Sequence, residues 1–306
     1  MPFTLIKGSF RVVGLSPDGD SIRFFPDSPE LMHALPGGPP GQTLKPFAQL
    51  RLEGIDSLET HYAGRHQPIR WARAARDRLL DFVGVRNVRW DAMEVTIVGA
   101  DDNTRGWILS RAKDKYGRPV AFLFAGESQQ ADGTEVVLRG DLLHASFNHL
   151  AVNEGLAYPT YYQSLFADLR NELTAATQSA RAAKLGLWPD DRTGAGLNAT
   201  SMAVIIDQTP ILPKLFRRLS DYMAAKGTAV GFREALALGE DAVWDLRSQS
   251  FTHLDTFVEQ APGSTIIRLT RDPEELVFDP MPQRPGNFFA VVIGAPVSGD
   301  LQSTES

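Results

Sequence analysis

Between residues 47 and 53 apolar and polar positions alternate, with Ala48, Leu50 and Leu52 on one side of the run and Gln49, Arg51 and Glu53 on the other. A period of two is that of a strand with one face on a core, so Arg51 and Glu53 are expected on the solvent side. Strand signal also lies near 9–15, 20–25, 87–98, 106–111 and 119–124. Elsewhere the period lengthens. Trp71, Ala74, Ala75, Leu79, Leu80 and Val83 recur at helical spacing, which predicts a helix near 70–83 with a core-facing stripe. The arginines of that region, Arg65, Arg70, Arg73, Arg76 and Arg78, interleave with Asp77 and Asp81 and read as a solvated face. Helices are also expected near 140–154 and 163–185, the latter closed by Gly186 as a C-cap.

The segment Asp190-Asp191-Arg192-Thr193-Gly194-Ala195-Gly196 reads as a short loop, and the chain divides there into a first part, 1–190, and a second, 191–306. In the second part Ile211–Ala225 and Phe232–Leu238 read as helices, Thr265–Leu269 and Asn287–Ile293 as strands, and Ser298–Ser306 as a disordered tail. Lys214, Arg217 and Arg218 put cations on one helix face, read as solvated. His253-Leu254-Asp255 is read as structural.

Chemistry concentrates after the alternating run. Gly54 interrupts the strand, and Asp56-Ser57-Leu58-Glu59 is turn sequence that sets two carboxylates three residues apart. Two neighbouring carboxylates need a reason, and a hard, oxygen-seeking cation such as Ca²⁺ supplies one. Asp20, heading the strand signal at 20–25, is placed to add a second anionic ligand from across a sheet.

Five motifs in order resemble the staphylococcal nuclease (thermonuclease) family: Asp18-Gly19-Asp20-Ser21; Arg51 through Asp56 to Glu59; Asp114-Lys115-Tyr116-Gly117-Arg118; Asn148 with Gly155-Leu156-Ala157; and Ala180 through Trp188. The likeness runs from about Gly8 to Trp188. It implies an α+β fold, a five-stranded OB-fold β-barrel with packed helices, carrying a smaller C-terminal α/β extension. It further implies a Ca²⁺-dependent nuclease that hydrolyses phosphodiester bonds of DNA or RNA and leaves 3′-phosphate and 5′-hydroxyl ends. In that reading Asp20 and Asp56 ligate the metal with the backbone carbonyl of Ser57, and Glu59 polarises or deprotonates the attacking water. Arg51 and Arg118 hold the phosphate and neutralise the charge of the five-coordinate state. Lys115 and Tyr116 touch a neighbouring phosphate, and Tyr161 lies beside the nucleotide, in preference to Tyr162 or Gln163. The competing expectation is a noncatalytic OB module that binds nucleic acid or protein. Against it, neither arginine and none of the three carboxylates is lost.

Composition narrows the setting. The 306 residues include no cysteine, which excludes disulfides and thiolate metal sites. The first residues lack a basic segment followed by an apolar run, and no stretch approaches membrane-spanning length, so a cytoplasmic protein with no membrane partner is expected. Residues 1–190 carry 21 Lys+Arg against 22 Asp+Glu, and residues 191–306 carry 10 against 15. A near-neutral nuclease part implies few phosphate contacts, which favours single-stranded or short substrates over long duplexes. The acidic second part is expected to restrain the first by charge. The Pro/Gly-rich stretch from Pro26 to Pro46 reads as an insertion that lengthens a hairpin.

Overall fold

The computed structural model describes residues 2–40 and 45–278. The chain begins with β1 (Phe3–Phe10), β2 (Arg23–Pro26), the short helix α1 (Pro29–Ala34), β3 (Ala48–Gln49), β4 (Arg51–Leu52) and β5 (Ile55–Ser57). After α2 (Ile69–Phe82) come β6 (Arg86–Trp90), β7 (Ile97–Asp101), β8 (Thr104–Lys113), β9 (Pro119–Ala125) and β10 (Glu135–Val136). The alternating run 47–53 closes the sheet. Its first half, β3, pairs antiparallel with β2, and its second half, β4, pairs parallel with β9. At Leu50, between them, the backbone N–H turns to Ile22 O at 2.9 Å. Because β2, β1, β8 and β9 are neighbours in that order, the two halves join the ends of one nearly closed barrel, the OB-like α+β arrangement the motifs imply. Its filling is apolar: Phe10, Ile22, Phe24, Leu50, Ile108 and Phe122 have no exposed surface.

Helices α3 (Gly140–His144) and α4 (Phe147–Asn153), strands β11 (Ala157–Pro159) and β12 (Tyr161–Tyr162), and α5 (Ala167–Ala182) follow. Buried Asn148 ties α4 to the barrel. Its side-chain carbonyl accepts from Leu123 N (3.0 Å), and its amide donates to Glu53 O (2.8 Å) and Ala121 O (3.0 Å).

Several boundaries differ from the sequence reading. The first strand lies at 3–10, not 9–15, because the N–H groups of Val12 and Val13 leave the sheet for the Asp102 carboxylate. The signal at 87–98 is a hairpin, β6 and β7, with a tight turn in which Glu94 N bonds Asp91 O. The helix expected over 140–154 breaks at Ser146, whose hydroxyl caps α4 by accepting from His149 N. α5 ends at Ala182, and Lys184, not Gly186, is the first residue after it in the left-handed region. Gly186 serves a close approach instead: a Cβ there would lie 2.1 Å from Gly155 O. The Pro26–Pro46 segment contains α1. The strand expected at Asn287–Ile293 and the tail at Ser298–Ser306 lie outside the described residues.

Past residue 190 come β13 (Leu197–Asn198), α6 (Pro213–Lys226), α7 (Phe232–Ala237), β14 (Ala242–Asp245), β15 (Ser250–His253), β16 (Val258–Glu259), β17 (Ile266–Leu269) and β18 (Leu276–Phe278). α6 starts on Pro213, where a missing N–H costs nothing, and stops at Gly227, which takes φ 73°. This part does not stand apart from the first. β12 pairs parallel with β18, so a strand of the first part forms an edge of the sheet β12-β18-β14-β15. Leu58, Ala72, Tyr158, Ala180, Leu187 and Trp188 share one buried cluster with residues such as Leu215, Phe216, Leu219, Phe232 and Phe278. Polar bonds follow the same seam: Arg181 grips Glu274 at 2.7 and 2.8 Å, and Tyr158 Oη donates to Asp191 at 2.7 Å. Among the described residues no helix is long and apolar enough to cross a membrane.

Candidate active site

Two turns bring the carboxylates together. Gly54, at φ 78°, swings the chain out of β4 and into β5, which carries Asp56 and Ser57 alongside β11 with Tyr158 opposite Asp56. Asp18-Gly19-Asp20 crosses close by; a Cβ on Gly19 would lie 2.5 Å from Ala75 Cβ and 2.9 Å from the Ser57 side chain. This approach lets the Asp20 carboxylate accept from Ser57 N at 3.1 Å. Asp56 and Ser57 are buried. Burial holds Asp20 well above the usual carboxylate range, and the negative charges of Asp56, Asp18 and Glu59 push it the same way. Asp18 is raised too, chiefly by burial, against the opposing effect of His61. Glu59 is pushed up to about 7, first by burial, which outweighs the attraction of Arg217, and then by the charge of Asp56.

Arg217, on α6, enters this carboxylate group. Its Nη2 lies 2.7 Å from Asp56 Oδ2 and its Nη1 3.3 Å from Asp56 Oδ1, and Nη1 also donates to Glu59 Oε1. The fork of the guanidinium matches the carboxylate side-on, the strong form of this contact. The helix face read as solvated is therefore a set of partnered cations: Arg218 grips Asp241 at 2.6 and 2.7 Å, and Lys214 Nζ lies 4.9 Å from the Phe278 ring centre. Nothing in the local sequence of α6 marks Arg217, because its partners lie about 160 residues away in the chain.

The set expected to hold Ca²⁺ does not fit that ion as arranged. Both Asp56 oxygens face a guanidinium, Asp20 is turned to a backbone N–H, and among the described residues no three acidic or histidine side chains gather as a metal site.

Arg51 opens onto a cleft of about 660 Å³, walled also by Glu53, Arg111, Lys115, Tyr162 and Asp241, and is near enough to Asp56 and Asp20 to act on them electrostatically. Its guanidinium lies over the Tyr162 ring, 4.2 Å from the centre. Glu53 is buried, contrary to its place on the outward side of the strand pattern, and burial pushes it up to about 7 although Arg51 and Arg111 pull it down. Lys115 and Tyr116 line the same cleft. Arg118 does not join them. It lines a neighbouring cavity with Arg23, Phe47 and Lys113, and its guanidinium is bound to Asp114 at 2.8 and 2.7 Å.

Tyr161, expected beside the nucleotide, does not line the cleft. Tyr161 is fully buried, and its hydroxyl meets Thr174 Oγ1 at 2.8 Å. Successive residues of a strand point to opposite faces, so the burial of Tyr161 turns Tyr162 and its ring toward the cleft, where Gln163 also lies.

Of the arginines of α2, Arg70 is exposed as the sequence reading has it, while others pack or pair. Arg76 is buried, 3.6 Å from the Trp90 ring centre, and Arg78 grips Glu154 at 3.0 Å with two nitrogens.

No curated protein matches the chain. The family model described as staphylococcal nuclease homologue matches residues 49–190, which span β4, β5, the Asp114–Arg118 loop and α5, so this part of the chain is a staphylococcal-nuclease-like domain.

Proposed function

We propose that the protein is a phosphodiesterase acting on DNA or RNA, with single-stranded or short substrates favoured. The observation that carries this reading is the cleft in which Arg51, Lys115 and Tyr116 meet, within a domain of nuclease type. In it Arg51 binds a phosphate and neutralises the charge that builds as phosphorus becomes five-coordinate. Glu59, beside the cleft and held by Arg217, takes the proton of the attacking water once Arg217 releases it. The new bond is water oxygen to phosphorus; the bond that breaks is phosphorus to the 5′-oxygen, which leaves with a proton from solvent. The 3′ side keeps the phosphate. Calcium at Asp20, Asp56 and the Ser57 carbonyl requires Arg217 to leave Asp56, so no step is assigned to the ion.

The test is cleavage of end-labelled single- and double-stranded DNA and RNA by purified protein, with Arg51→Ala as control. No cleavage of any substrate would overturn the proposal, and cleavage unchanged in the variant would remove Arg51 from it. A second reading, a noncatalytic module that binds nucleic acid, is favoured by one observation: Asp56 and Glu59 are both engaged by Arg217. Gel-shift binding without product in any metal would establish it.

A further inference from the structure

We infer that Arg217 is the resident cation of the Asp56–Glu59 pair, and that a divalent ion binds these carboxylates only by displacing the guanidinium. The inference rests on the nuclease reading only in naming the carboxylates as the ion's ligands.

Arg217 is built into its place. Its side chain is 23% exposed, and those of Asp56 and Glu59 are 9% and 14% exposed. Its neighbours Leu215, Phe216 and Leu219 are buried in the cluster that also holds Leu58, one residue from Ser57 and one from Glu59. Further along α6 Asp221 is held by Tyr62 Oη at 2.7 Å and by Arg65, both from the loop that follows Glu59. Gln67 of the same loop donates to Ile211 O at 2.8 Å, just before α6. The helix is thus clamped on both sides of Arg217, and the guanidinium arrives at the carboxylates already oriented.

The charge balance gives it a task. Asp18, Asp20, Asp56 and Glu59 act on one another electrostatically. Carboxylates withdrawn from water are strongly destabilising unless a cation compensates them. Arg217 supplies that compensation through both oxygens of Asp56 and one of Glu59. A divalent ion on the same oxygens would stand within a few ångströms of a fixed positive charge, where repulsion is largest. The two cations therefore exclude each other. If the guanidinium is engaged in about 99 of 100 molecules, the ion's apparent affinity falls about 100-fold.

The experiment is calcium titration of the full chain by calorimetry, with the melting temperature measured with and without CaCl₂, for wild type, R217A, R217Q and R217A/D56N. R217A and R217Q are expected to bind Ca²⁺ at least tenfold more tightly than wild type, and to melt lower than wild type without calcium and higher on its addition. Adding D56N should abolish the gain. If R217A does not fold, R217Q, which keeps the stem and an amide, carries the same comparison. Equal affinity in wild type and variants, or a gain that survives D56N, would overturn the inference. Exchange of the two cations without cleavage of any nucleic acid would uphold it while sinking the hydrolase reading.

Discussion

Arg51 lies with its guanidinium carbon 4.2 Å from the centre of the Tyr162 ring, so a residue of the barrel is oriented by a strand that belongs equally to the second sheet. A flat cation on an aromatic face keeps its N–H edge available for a phosphate, and partial desolvation strengthens the contact. Arg51→Ala should lower kcat by a factor of about 100 or more, the usual loss when a preorganised charge facing the transition state is removed. Tyr162→Ala should lower it by a smaller factor, since the guanidinium stays but loses its platform, and Tyr162→Phe less still. Steady-state kinetics on a short labelled oligonucleotide would decide; an Arg51→Ala enzyme as fast as wild type would remove Arg51 from the mechanism.

Arg118 should behave differently. Bound to Asp114 and facing the neighbouring cavity, it meets a substrate only where the chain of nucleotides extends beyond the cleft. Arg118→Ala is expected to raise KM several-fold for an oligonucleotide and to leave kcat within tenfold, with no effect on a substrate of one phosphodiester. An equal fall in kcat for Arg118→Ala and Arg51→Ala would show that Arg118 swings into the cleft during turnover.

Tyr161 is a core residue with one satisfied hydroxyl. Tyr161→Phe removes the contact with Thr174 and should cost about 1 kcal/mol of stability. Activity below the melting transition should stay within twofold of wild type, as measured by urea unfolding and initial rates on the same preparation. A tenfold loss of rate without loss of stability would restore Tyr161 to the substrate side.

How far the sequence was legible depends on how local each signal is. The strand at 47–53 shows in its alternation, and Leu50 and Leu52 are buried as that alternation requires. Glu53 breaks the same pattern because the chain beyond it folds back: Asn148 and Ser164 both reach it, and neither contact leaves a mark within a few residues of position 53. The motif carboxylates converge as their spacing suggests, since Gly19 and Gly54 are local devices. Arg217 was not legible. Its role is set by the docking of α6 on the barrel, and an amphipathic helix reads alike whether its cations meet solvent or a carboxylate pair. The net acidity of the second part could not reveal that contact either. Composition counts charges and does not show that one arginine among them reaches the site.

Glu53 gives a pH prediction whose sign is fixed by its shift. Burial raises it from its ordinary 4.5 to about 7, so between these values the folded chain holds a proton that the unfolded chain has released. Stability should therefore fall as pH rises from about 4.5 to about 7 and be level in this respect outside that window. Glu53→Gln removes the dependence and should be more stable than wild type by about 3 kcal/mol above pH 8, the linkage equivalent of the shift. Urea midpoints for both proteins across pH 4 to 9 give the comparison. Parallel curves would mean that Glu53 is not held protonated.

Removal of the second part should abolish folding rather than release activity. A chain ending near Asp191 loses β18, the partner of β12, and leaves Leu58, Tyr158, Leu187 and Trp188 without the residues that bury them. It also strips Arg217 from Asp56 and Glu59 and Glu274 from Arg181, so apolar area and uncompensated charge are exposed along one seam. Each fully buried large apolar side chain returned to water forfeits about 1.5–3 kcal/mol, and a few of them match the whole stability of an ordinary domain. The expected product shows helical signal in the far ultraviolet, no near-ultraviolet signature of packed aromatics, binding of a hydrophobic dye and no sharp melt. A truncated chain that melts cooperatively and keeps its near-ultraviolet spectrum would show that the first part is a domain in its own right. Calcium added to such a folded fragment, in which Arg217 is absent, should bind as tightly as it does to R217A in the full chain.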